Sequence, residues 1–283
     1  MRLIVDSGST KADWIAVNEE GQVRFTTQTL GLNPEILDED EIIERLNDRF
    51  DILQNKKEAT HLFFYGAGCG TDRMKVWLSQ IFQNYFSNAI IDVKEDTYAA
   101  VYATTAKGEK AIVSILGTGS NCSYFDGKEL HQKVQSLGYI IMDDCSGNVF
   151  GKELIRKYYF NKMPKELAEV FEKEYDVDPD AIKSKLYKEA NPNAYLATYA
   201  KFLIQHKETE FCRKIIFKGM RSFVKNYIKQ FENHKEIPVH FVGSIAFYLK
   251  DELQEIFDKY ELQLGNVLRR PIDGLIAYHV ANK

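Results

Sequence analysis

Alternating apolar and polar positions near the start of the chain predict three short β-strands, over residues 2–5, 13–17 and 23–29. Glu20-Gly21 supplies a turn between the second and third strands. Because tight turns join these strands in succession, the chain is predicted to open with an antiparallel sheet.

The apolar spacing then becomes helical. Residues 38–53 are predicted to form one helix that is capped by Asp38 and buries a single apolar face. The side chains on that face are Ile42, Ile43, Leu46, Phe50 and Leu53. Predicted strands over residues 61–65 and 89–93 alternate with predicted helices over residues 72–86 and 97–105.

Beyond residue 110 the strand pattern begins again, with a strand over residues 111–116, a tight turn, and a strand over residues 121–125. In both Val5-Asp6-Ser7-Gly8-Ser9-Thr10 and Leu116-Gly117-Thr118-Gly119-Ser120-Asn121, small residues connect two strands. Duplication of a whole lobe would produce this repeat. Two unrelated glycine-rich hairpins would look the same, so chance remains the alternative.

The rest of the chain is mostly helical, with one buried strand predicted over residues 238–243. The predicted helices cover residues 151–160, 164–175, 179–190, 195–205, 208–231, 245–258 and 271–281.

Length and composition narrow the choice of protein class. A chain of 283 residues exceeds the size at which one hydrophobic core usually keeps growing, so two lobes are expected. The net charge of −4 argues against nucleic acid or an anionic membrane as the main partner. No apolar stretch is long enough to span a bilayer or to serve as a signal peptide. The four cysteines show no paired spacing, which favours reduced thiols in a cytoplasmic protein.

The first motif whose residues suit ligand binding is Asp6-Ser7-Gly8-Ser9-Thr10-Lys11, which follows a strand directly. Small residues let the backbone approach a phosphate, and the N–H groups of a turn can point at it. Asp6 at the strand end is placed to hold Mg²⁺ or its water shell. The motif is neither a Walker A loop nor a Rossmann loop, because a strand follows it instead of a helix. A plain hairpin turn is the alternative.

Gly117-Thr118-Gly119-Ser120-Asn121 has the same composition, and together the two turns suit a triphosphate. Asp96 follows the strand over residues 89–93, where a carboxylate can accept a proton from a substrate hydroxyl. Capping of the next helix by Asp96 or Glu95 is the commoner use of such residues.

Three further segments carry candidate ligand contacts. In Gly138-Tyr139-Ile140-Ile141-Met142-Asp143-Asp144-Cys145-Ser146-Gly147, Asp143 is a candidate for binding sugar hydroxyls and Ser146 for capping a helix. In Phe241-Val242-Gly243-Ser244-Ile245-Ala246, a glycine would let a flat adenine or ribose lie against the backbone. Asn33, in the loop Gly31-Leu32-Asn33-Pro34, is placed to reach a ligand. Ordinary turns and caps explain the same residues.

The order of these motifs resembles that of the N-acetylglucosamine kinase group of the BadF/BadG/BcrA/BcrD-type ATPases, within the actin, hexokinase and sugar-kinase superfamily. The resemblance covers essentially the whole chain. It implies an α/β fold of two ribonuclease-H-like lobes, the actin-like ATPase fold, with ATP and substrate in the cleft between them. The N-terminal lobe would comprise residues 1–110 plus 271–283, and the C-terminal lobe, with helical additions, residues 111–270.

The resemblance also implies a role for each matching residue. Asp96 would deprotonate the sugar 6-hydroxyl, and Asp6 would position Mg²⁺. The residues implied for ATP binding are Ser9, Thr10, Lys11, Gly117, Thr118, Gly119, Gly243 and Ser244. The residues implied for sugar binding are Asn33, Asn121, Gly138 and Asp143. The expected activity is ATP-dependent phosphorylation of an amino sugar, with N-acetylglucosamine first. A small-molecule partner is therefore expected, and a homodimer stays open because dimers are usual among relatives.

Departures from the family pattern keep alternatives open. Glu95 replaces the usual Asn before the catalytic Asp, and Met142-Asp143-Asp144-Cys145-Ser146 replaces Gly-Asp-Glu-Gly-Ser. Larger side chains are thus expected beside the sugar pocket, so N-acetylmuramic acid and glucosamine are alternative substrates. An ATPase activator with an iron–sulfur cluster, or a non-catalytic amino-sugar sensor, are alternative functions. The zinc-binding cysteine cluster of ROK sugar kinases is absent, so that family is not assigned.

Overall fold

In the computed structural model, which describes residues 1–8 and 11–281, contacts divide the chain into two units. Unit 1 comprises Met1–Ala106 and the segment from Arg270 onward, and unit 2 comprises Lys107–Arg269. Strands and helices are numbered in chain order.

Unit 1 is built on a five-stranded sheet of order β3-β2-β1-β4-β5. Its strands are β1 (Arg2–Ser7), β2 (Lys11–Val17), β3 (Val23–Leu30), β4 (His61–Gly66) and β5 (Ile90–Glu95). The first three strands are antiparallel, as predicted, whereas β4 and β5 run parallel to β1. The helices are α1 (Glu39–Asn47), α2 (Phe50–Asn55), α3 (Asp72–Tyr85), α4 (Asp96–Thr104) and α13 (Ile272–Ala281).

The alternation along β1 explains how this sheet is covered on both faces. Leu3 and Val5 point to one face and belong to a core cluster that includes Phe82 of α3. Ile4 points to the other face and packs in a cluster with Leu275 of α13. Because both faces are apolar, β1 lies at the centre of the sheet.

Unit 2 repeats this arrangement in a sheet of order β10-β9-β6-β7-β8. Its strands are β6 (Ala111–Leu116), β7 (Ser120–Phe125), β8 (Leu130–His131), β9 (Val239–Val242) and β10 (Leu264–Leu268). Here too an antiparallel hairpin is followed by parallel strands, since β6 pairs antiparallel with β7 and parallel with β9. The predicted restart of the strand pattern is confirmed.

The helices of unit 2 surround a large apolar core. They are α5 (Gly147–Tyr159), α6 (Lys165–Glu174), α7 (Pro179–Tyr187), α8 (Pro192–Thr198), α9 (Ala200–Gln205), α10 (Glu210–Asn226), α11 (Ser244–Tyr248) and α12 (Lys250–Tyr260). Aromatic side chains buried in this core include Phe150, Phe202, Phe223, Phe241 and Phe257. Burial of such large rings makes a substantial contribution to the hydrophobic stabilisation of this unit.

The prediction of one helix over residues 38–53 was wrong. The capping box between Asp38 and Glu41 starts α1 as expected, but the helix ends at Asn47. Arg49 is extended, so α2 begins in a new orientation. As a result Ile52 is buried and Phe50, predicted to face the core, is 71% exposed.

Other helix and strand boundaries also differ from the predicted ones. The predicted helices over residues 195–205 and 245–258 are each two helices, broken at Tyr199 and Leu249. The helix predicted over residues 208–231 ends at Asn226. Strands β8 and β10 were not predicted, because β8 has two residues and β10 contains Gly265.

Candidate active site

Three parallel strands of unit 1 end at the same edge of the sheet. Ser7 of β1 pairs with Gly66 of β4, and Gly66 pairs with Glu95 of β5, so the three residues form one row. Asp96 follows as the first residue of α4. The topology therefore brings Asp6 and Asp96 to the same edge of the sheet.

The hairpin of β1 and β2 carries a second carboxylate that the sequence interpretation missed. Asp13 pairs with Asp6 across the two strands and is buried. Its Oδ2 accepts a hydrogen bond from Lys11 Nζ at 2.9 Å, and its Oδ1 accepts one from Gln28 Nε2 at 2.5 Å. The Lys11 ammonium, predicted to bind ATP, is here paired with Asp13. The predicted phosphate ligands Ser9 and Thr10 lie outside the described residues.

Asp6 lies in a strongly acidic environment. Burial, together with the negative charges of Asp96 and Asp13, raises the pKa of Asp6 to about 7. The cations Lys11 and Arg270 oppose this rise, but they do not cancel it. Arg270 was also missed by the sequence interpretation, because it lies far along the chain, just before α13.

Asp96 shares this environment. Burial and the neighbouring charge of Glu95 raise the pKa of Asp96 to about 6, although hydrogen bonds from Thr97 lower it in part. Glu95 is the N-cap of α4, yet its side chain makes no capping hydrogen bond. The capping alternative therefore finds no support at Glu95. A carboxylate with a pKa near 6 is ionised at neutral pH and still able to accept a proton.

Asn33 packs against a glycine-rich loop that follows β4. A Cβ atom at Gly68 would lie 2.0 Å from Asn33 Oδ1, so only glycine permits this contact. The same oxygen accepts a hydrogen bond from the Glu35 N–H at 2.9 Å. The loop also holds Gly70, whose added Cβ would lie 3.9 Å from the Glu95 carboxyl group. Asn33 and Glu95 thus border one loop, which the sequence interpretation did not single out.

In unit 2, Gly117, Thr118 and Gly119 form the turn between β6 and β7. The Gly117 N–H donates to the Gly119 carbonyl at 3.0 Å. The Gly117 carbonyl accepts from the Gly147 N–H at 2.8 Å, which ties the turn to the start of α5. Within residues 1–8 and 11–281, the N–H groups of Thr118 and Gly119 donate no hydrogen bond, and Thr118 is exposed. Such N–H groups are suited to bind an anion.

Asp143 lies directly behind this turn. A Cβ atom at Gly119 would approach Asp143 Oδ2 to 2.8 Å, and Asn148 Nδ2 donates to the same oxygen at 3.0 Å. Asn148 also donates to the Thr118 carbonyl at 2.7 Å. Asn148 therefore links the predicted sugar ligand to the predicted phosphate turn, and no sequence motif marked it.

The expectation of larger side chains beside the sugar pocket was wrong for Cys145. Cys145 has a positive φ of 64°, and its side chain is fully buried in the apolar core of unit 2. Met142 is partly buried and packs against the same core. Ser146 caps α5 as expected, accepting from the Val149 N–H at 3.4 Å. Both replacements are thus accommodated by the core.

Gly243 closes the other side of the turn. Its φ is +123°, and a Cβ atom there would lie 2.2 Å from the Leu116 carbonyl oxygen. The next residue, Ser244, begins α11 and lines a cavity of about 560 Å³ together with Lys201 and Tyr248. This volume is within the range of small-ligand pockets.

The remaining predicted sugar ligands of unit 2 are Gly138 and Asn121. Gly138 has a φ of +81° and its carbonyl accepts from the Met142 N–H at 2.9 Å. No heavy atom lies within 4 Å of a Cβ placed at Gly138. Asn121 is partly buried on β7, opposite Ile115. Neither residue contacts Asp143 in the hydrogen bonds described for this region.

Within residues 1–8 and 11–281, no group of three or more His, Cys, Asp or Glu side chains is arranged to hold a metal ion. In the same residues, no helix is long and apolar enough to cross a membrane.

Solved structures provide the decisive comparison. The crystal structure of the putative N-acetylglucosamine kinase from Porphyromonas gingivalis is 34% identical and superimposes with a TM-score of 0.92. The alignment covers 100% of this chain and 99% of that one. The chain belongs to the sugar kinase family of that protein. No protein-family model matches the chain, so membership of the BadF/BadG/BcrA/BcrD group stays a prediction.

Two more distant structures share the fold. The putative N-acetylglucosamine kinase from Chromobacterium violaceum is 16% identical, with a TM-score of 0.70 over 98% of this chain and 99% of that one. A ROK family glucokinase from Streptomyces griseus, crystallised with glucose and AMPPNP, is 15% identical, with a TM-score of 0.59 over 98% and 97% of the two chains. The predicted α/β fold of actin-like, two-lobed sugar kinases is confirmed.

Proposed function

We propose that this family member transfers the γ-phosphoryl group of ATP to the 6-hydroxyl of an amino sugar, with N-acetylglucosamine as the first substrate. The observation that carries the proposal is Asp96, a carboxylate at the end of β5 beside Asp6, with its pKa raised to about 6. The name of the Porphyromonas gingivalis relative supports the choice of sugar.

Asp96 is the proposed general base. Its carboxylate would accept the proton of the 6-hydroxyl while the hydroxyl oxygen bonds to the γ-phosphorus and the bond to the β–γ bridging oxygen breaks. ADP leaves with the electron pair of that bond, and the proton passes from Asp96 to solvent. Because phosphoryl transfer has a loose transition state, orientation and charge neutralisation contribute more than basicity.

The glycine turn of unit 2 is the proposed phosphate site. The N–H groups of Thr118 and Gly119 would donate to phosphate oxygens, while Asn148 holds the turn from behind through the Thr118 carbonyl. The cavity beside Ser244 is proposed for the adenosine moiety, because it combines an apolar lining with a few polar groups.

Asp6 fits a role toward Mg²⁺. This ion prefers oxygen ligands and is commonly held by one or two carboxylates together with substrate phosphates, so a larger cluster of protein ligands is not required. The like charges of Asp96 and Asp13, which raise the pKa of Asp6, would be relieved by a cation. When bound, Mg²⁺ would neutralise negative charge on the phosphates.

The test is ADP release with Mg-ATP against a panel of N-acetylglucosamine, N-acetylmuramic acid, N-acetylmannosamine, glucosamine, glucose and no sugar. Release that depends on one amino sugar supports the proposal and identifies the substrate. Replacement of Asp96 by Asn should lower kcat by about 100-fold or more, since that is the usual contribution of a general base. Asp92→Asn, on the same strand but paired with Lys94, is the matched control.

Full sugar phosphorylation by Asp96→Asn would contradict the proposal. Sugar-independent ADP release would favour the ATPase activator instead. That alternative requires exposed cysteine thiols for an iron–sulfur cluster, whereas Cys69, Cys122, Cys145 and Cys212 are all buried. Sugar binding without turnover would favour a sensor.

A further inference from the structure

Unit 2 contains a second cavity, of about 500 Å³, which none of the proposed ATP or sugar ligands lines. One wall is the loop bearing Tyr139 and Ile140, and another is α5 with Lys152 and Arg156. Tyr187 at the end of α7 and Leu196 of α8 close the far side. The volume is that of a site for a small organic molecule.

Apolar side chains around this cavity are unusually open to solvent. Ile140 is 73% exposed and Tyr187 is 82% exposed. Beside them, Ile141 is 74% exposed. Exposed apolar side chains that converge on a hollow mark a binding site more often than scattered ones do, because their burial by a ligand is favourable.

Two cations lie one helical turn apart on the same wall. Lys152 Nζ lies 3.5 Å from the Tyr139 carbonyl oxygen, and the Arg156 guanidinium lies over the Phe160 ring at 5.4 Å. Among the ion pairs of residues 1–8 and 11–281, neither cation has a carboxylate partner. By contrast, Lys157 on the same helix pairs with Glu153 at 3.5 Å. The cavity therefore presents positive charge that no carboxylate matches.

The far wall is held in place by the backbone. Asn191 adopts a left-handed conformation with φ of 59°, and Pro192 follows as the first residue of α8. Proline at this position fixes the start of a helix. The turn between α7 and α8 is thus defined, so a ligand would meet a largely preformed wall.

We propose that this cavity binds a small amphipathic anion, a molecule with an apolar or aromatic body and one carboxylate or similar group. The body would cover Ile140 and Tyr187, and the anionic group would lie between Lys152 and Arg156. A charge-assisted hydrogen bond to a cation and burial of an apolar body favour the same occupant. The argument for this site does not rest on the proposed kinase activity.

The first experiment is titration of the protein with 8-anilinonaphthalene-1-sulfonate, a dye with an aromatic body and one sulfonate, followed by fluorescence. Hexanoate should displace the dye at lower concentration than hexanol, which lacks the charge, or inorganic phosphate, which lacks the apolar body. Replacement of both Lys152 and Arg156 by Met should weaken dye binding by about tenfold or more, equivalent to about 1.4 kcal/mol.

Lys157→Met is the control, because it removes a cation of the same helix without touching the cavity lining. Tyr187→Ser provides a second test that leaves the charges in place, and its high exposure makes misfolding a poor explanation. Thermal melts check that each variant folds. Failure of the dye to bind, unchanged affinity in the Lys152/Arg156 variant, or equal displacement by hexanol would overturn the proposal. A dye signal lost on raising the protein concentration would also overturn it, since a second copy would then cover the cavity.

Discussion

The two units have the same sheet topology but place different chemistry on it. In the central hairpin of unit 1, the second residue pair before the turn joins Asp6 to Asp13. In the hairpin of unit 2, the same pair joins Ile115 to Asn121. Unit 1 thus concentrates carboxylates at its strand ends. Unit 2 presents an uncharged turn whose backbone N–H groups are suited to anions. Two sheets of the same topology therefore carry opposite electrostatic character at this end of the hairpin.

The strand that runs parallel to the central strand and pairs with it is β4 in unit 1 and β9 in unit 2. This strand shows what the two units have in common. β4 ends at Gly66, and the following Ala67 N–H donates to the Ser7 carbonyl at 2.9 Å. β9 is followed by Gly243, whose backbone lies against the Leu116 carbonyl. In each unit the chain that follows this strand thus lies close to the end of the central hairpin. In unit 2 that approach requires glycine, whereas an added Cβ at Gly66 would meet the Phe64 ring instead of the hairpin.

The largest effect is expected from Gly243→Ala in unit 2. The new Cβ would meet Leu116 oxygen at 2.2 Å, and the positive φ of +123° is unfavourable for alanine. Backbone strain and overpacking together should cost on the order of 2–4 kcal/mol of unfolding free energy. Thermal unfolding measures this loss, and nucleotide affinity should fall with it.

Gly117→Ala is the matched control for Gly243→Ala, because an added Cβ there meets no heavy atom within 4 Å. We expect normal stability but weaker ATP binding, since the methyl group would occupy the proposed phosphate site. Equal destabilisation by both substitutions would show that the turn depends on glycine in general, and the distinction between its two sides would be wrong.

Asp6→Asn tests the carboxylate cluster of unit 1. The folded-state pKa of Asp6 is about 7, above the ordinary 3.8, so the native protein holds the Asp6 proton more tightly than the unfolded chain does. Ionised Asp6 lowers the free energy of unfolding by its full amount above pH 7, and this loss disappears as the pH falls toward 4. The variant should therefore melt several degrees higher than wild type at pH 8, on the order of 2–8 °C, while losing activity.

The gain in melting temperature should shrink steadily between pH 7 and pH 4, and melting curves at several pH values measure it. Asp72→Asn is the control, because that carboxylate of unit 1 is 96% exposed and its pair with Lys75 contributes little to stability. A gain that did not depend on pH would mean that the charge of Asp6 is not the cause.

The alternation and glycine turns predicted the opening sheet and its repeat, because they are local properties of consecutive residues. The break in residues 38–53 was not predictable from spacing, since Phe50 fits the apolar face of a continuous helix. Its exposure follows from the extended backbone of Arg49. β10 was missed because Gly265 packs against the ring of His240, a contact between distant residues.

The residues of the candidate site also divide into those that local sequence predicts and those that it does not. The position of Asp6 and Asp96 at one edge of the sheet was predictable, because Asp6 lies near the end of β1, Asp96 directly follows β5, and parallel strands end together. Asn148 was not, because its contacts with Thr118 and Asp143 arise only when α5 packs against the turn. The inward direction of Cys145 depends on a positive φ, which sequence does not reveal for a residue other than glycine.

The smallest expected effect concerns a buried histidine in the core of unit 1. His279 Nε2 lies 2.8 Å from the Tyr65 hydroxyl, and the ring stacks on Phe63 at 3.9 Å. Burial lowers the pKa of His279 to about 4, from an ordinary 6.5. The unfolded chain then binds more protons than the native one between these values, so stability is lost as the pH falls from 6.5 to 4.

His279→Gln, which keeps a hydrogen-bonding group but does not take up a proton, should lose less stability over that window, by a difference on the order of 1 kcal/mol. Chemical denaturation of both proteins at pH 7 and pH 4.5 measures the difference. His131→Gln is the control, because His131 of unit 2 is 48% exposed. If His279→Gln and wild type lost stability in parallel, acid sensitivity would come from other groups, and the buried histidine of unit 1 would have no special part in it.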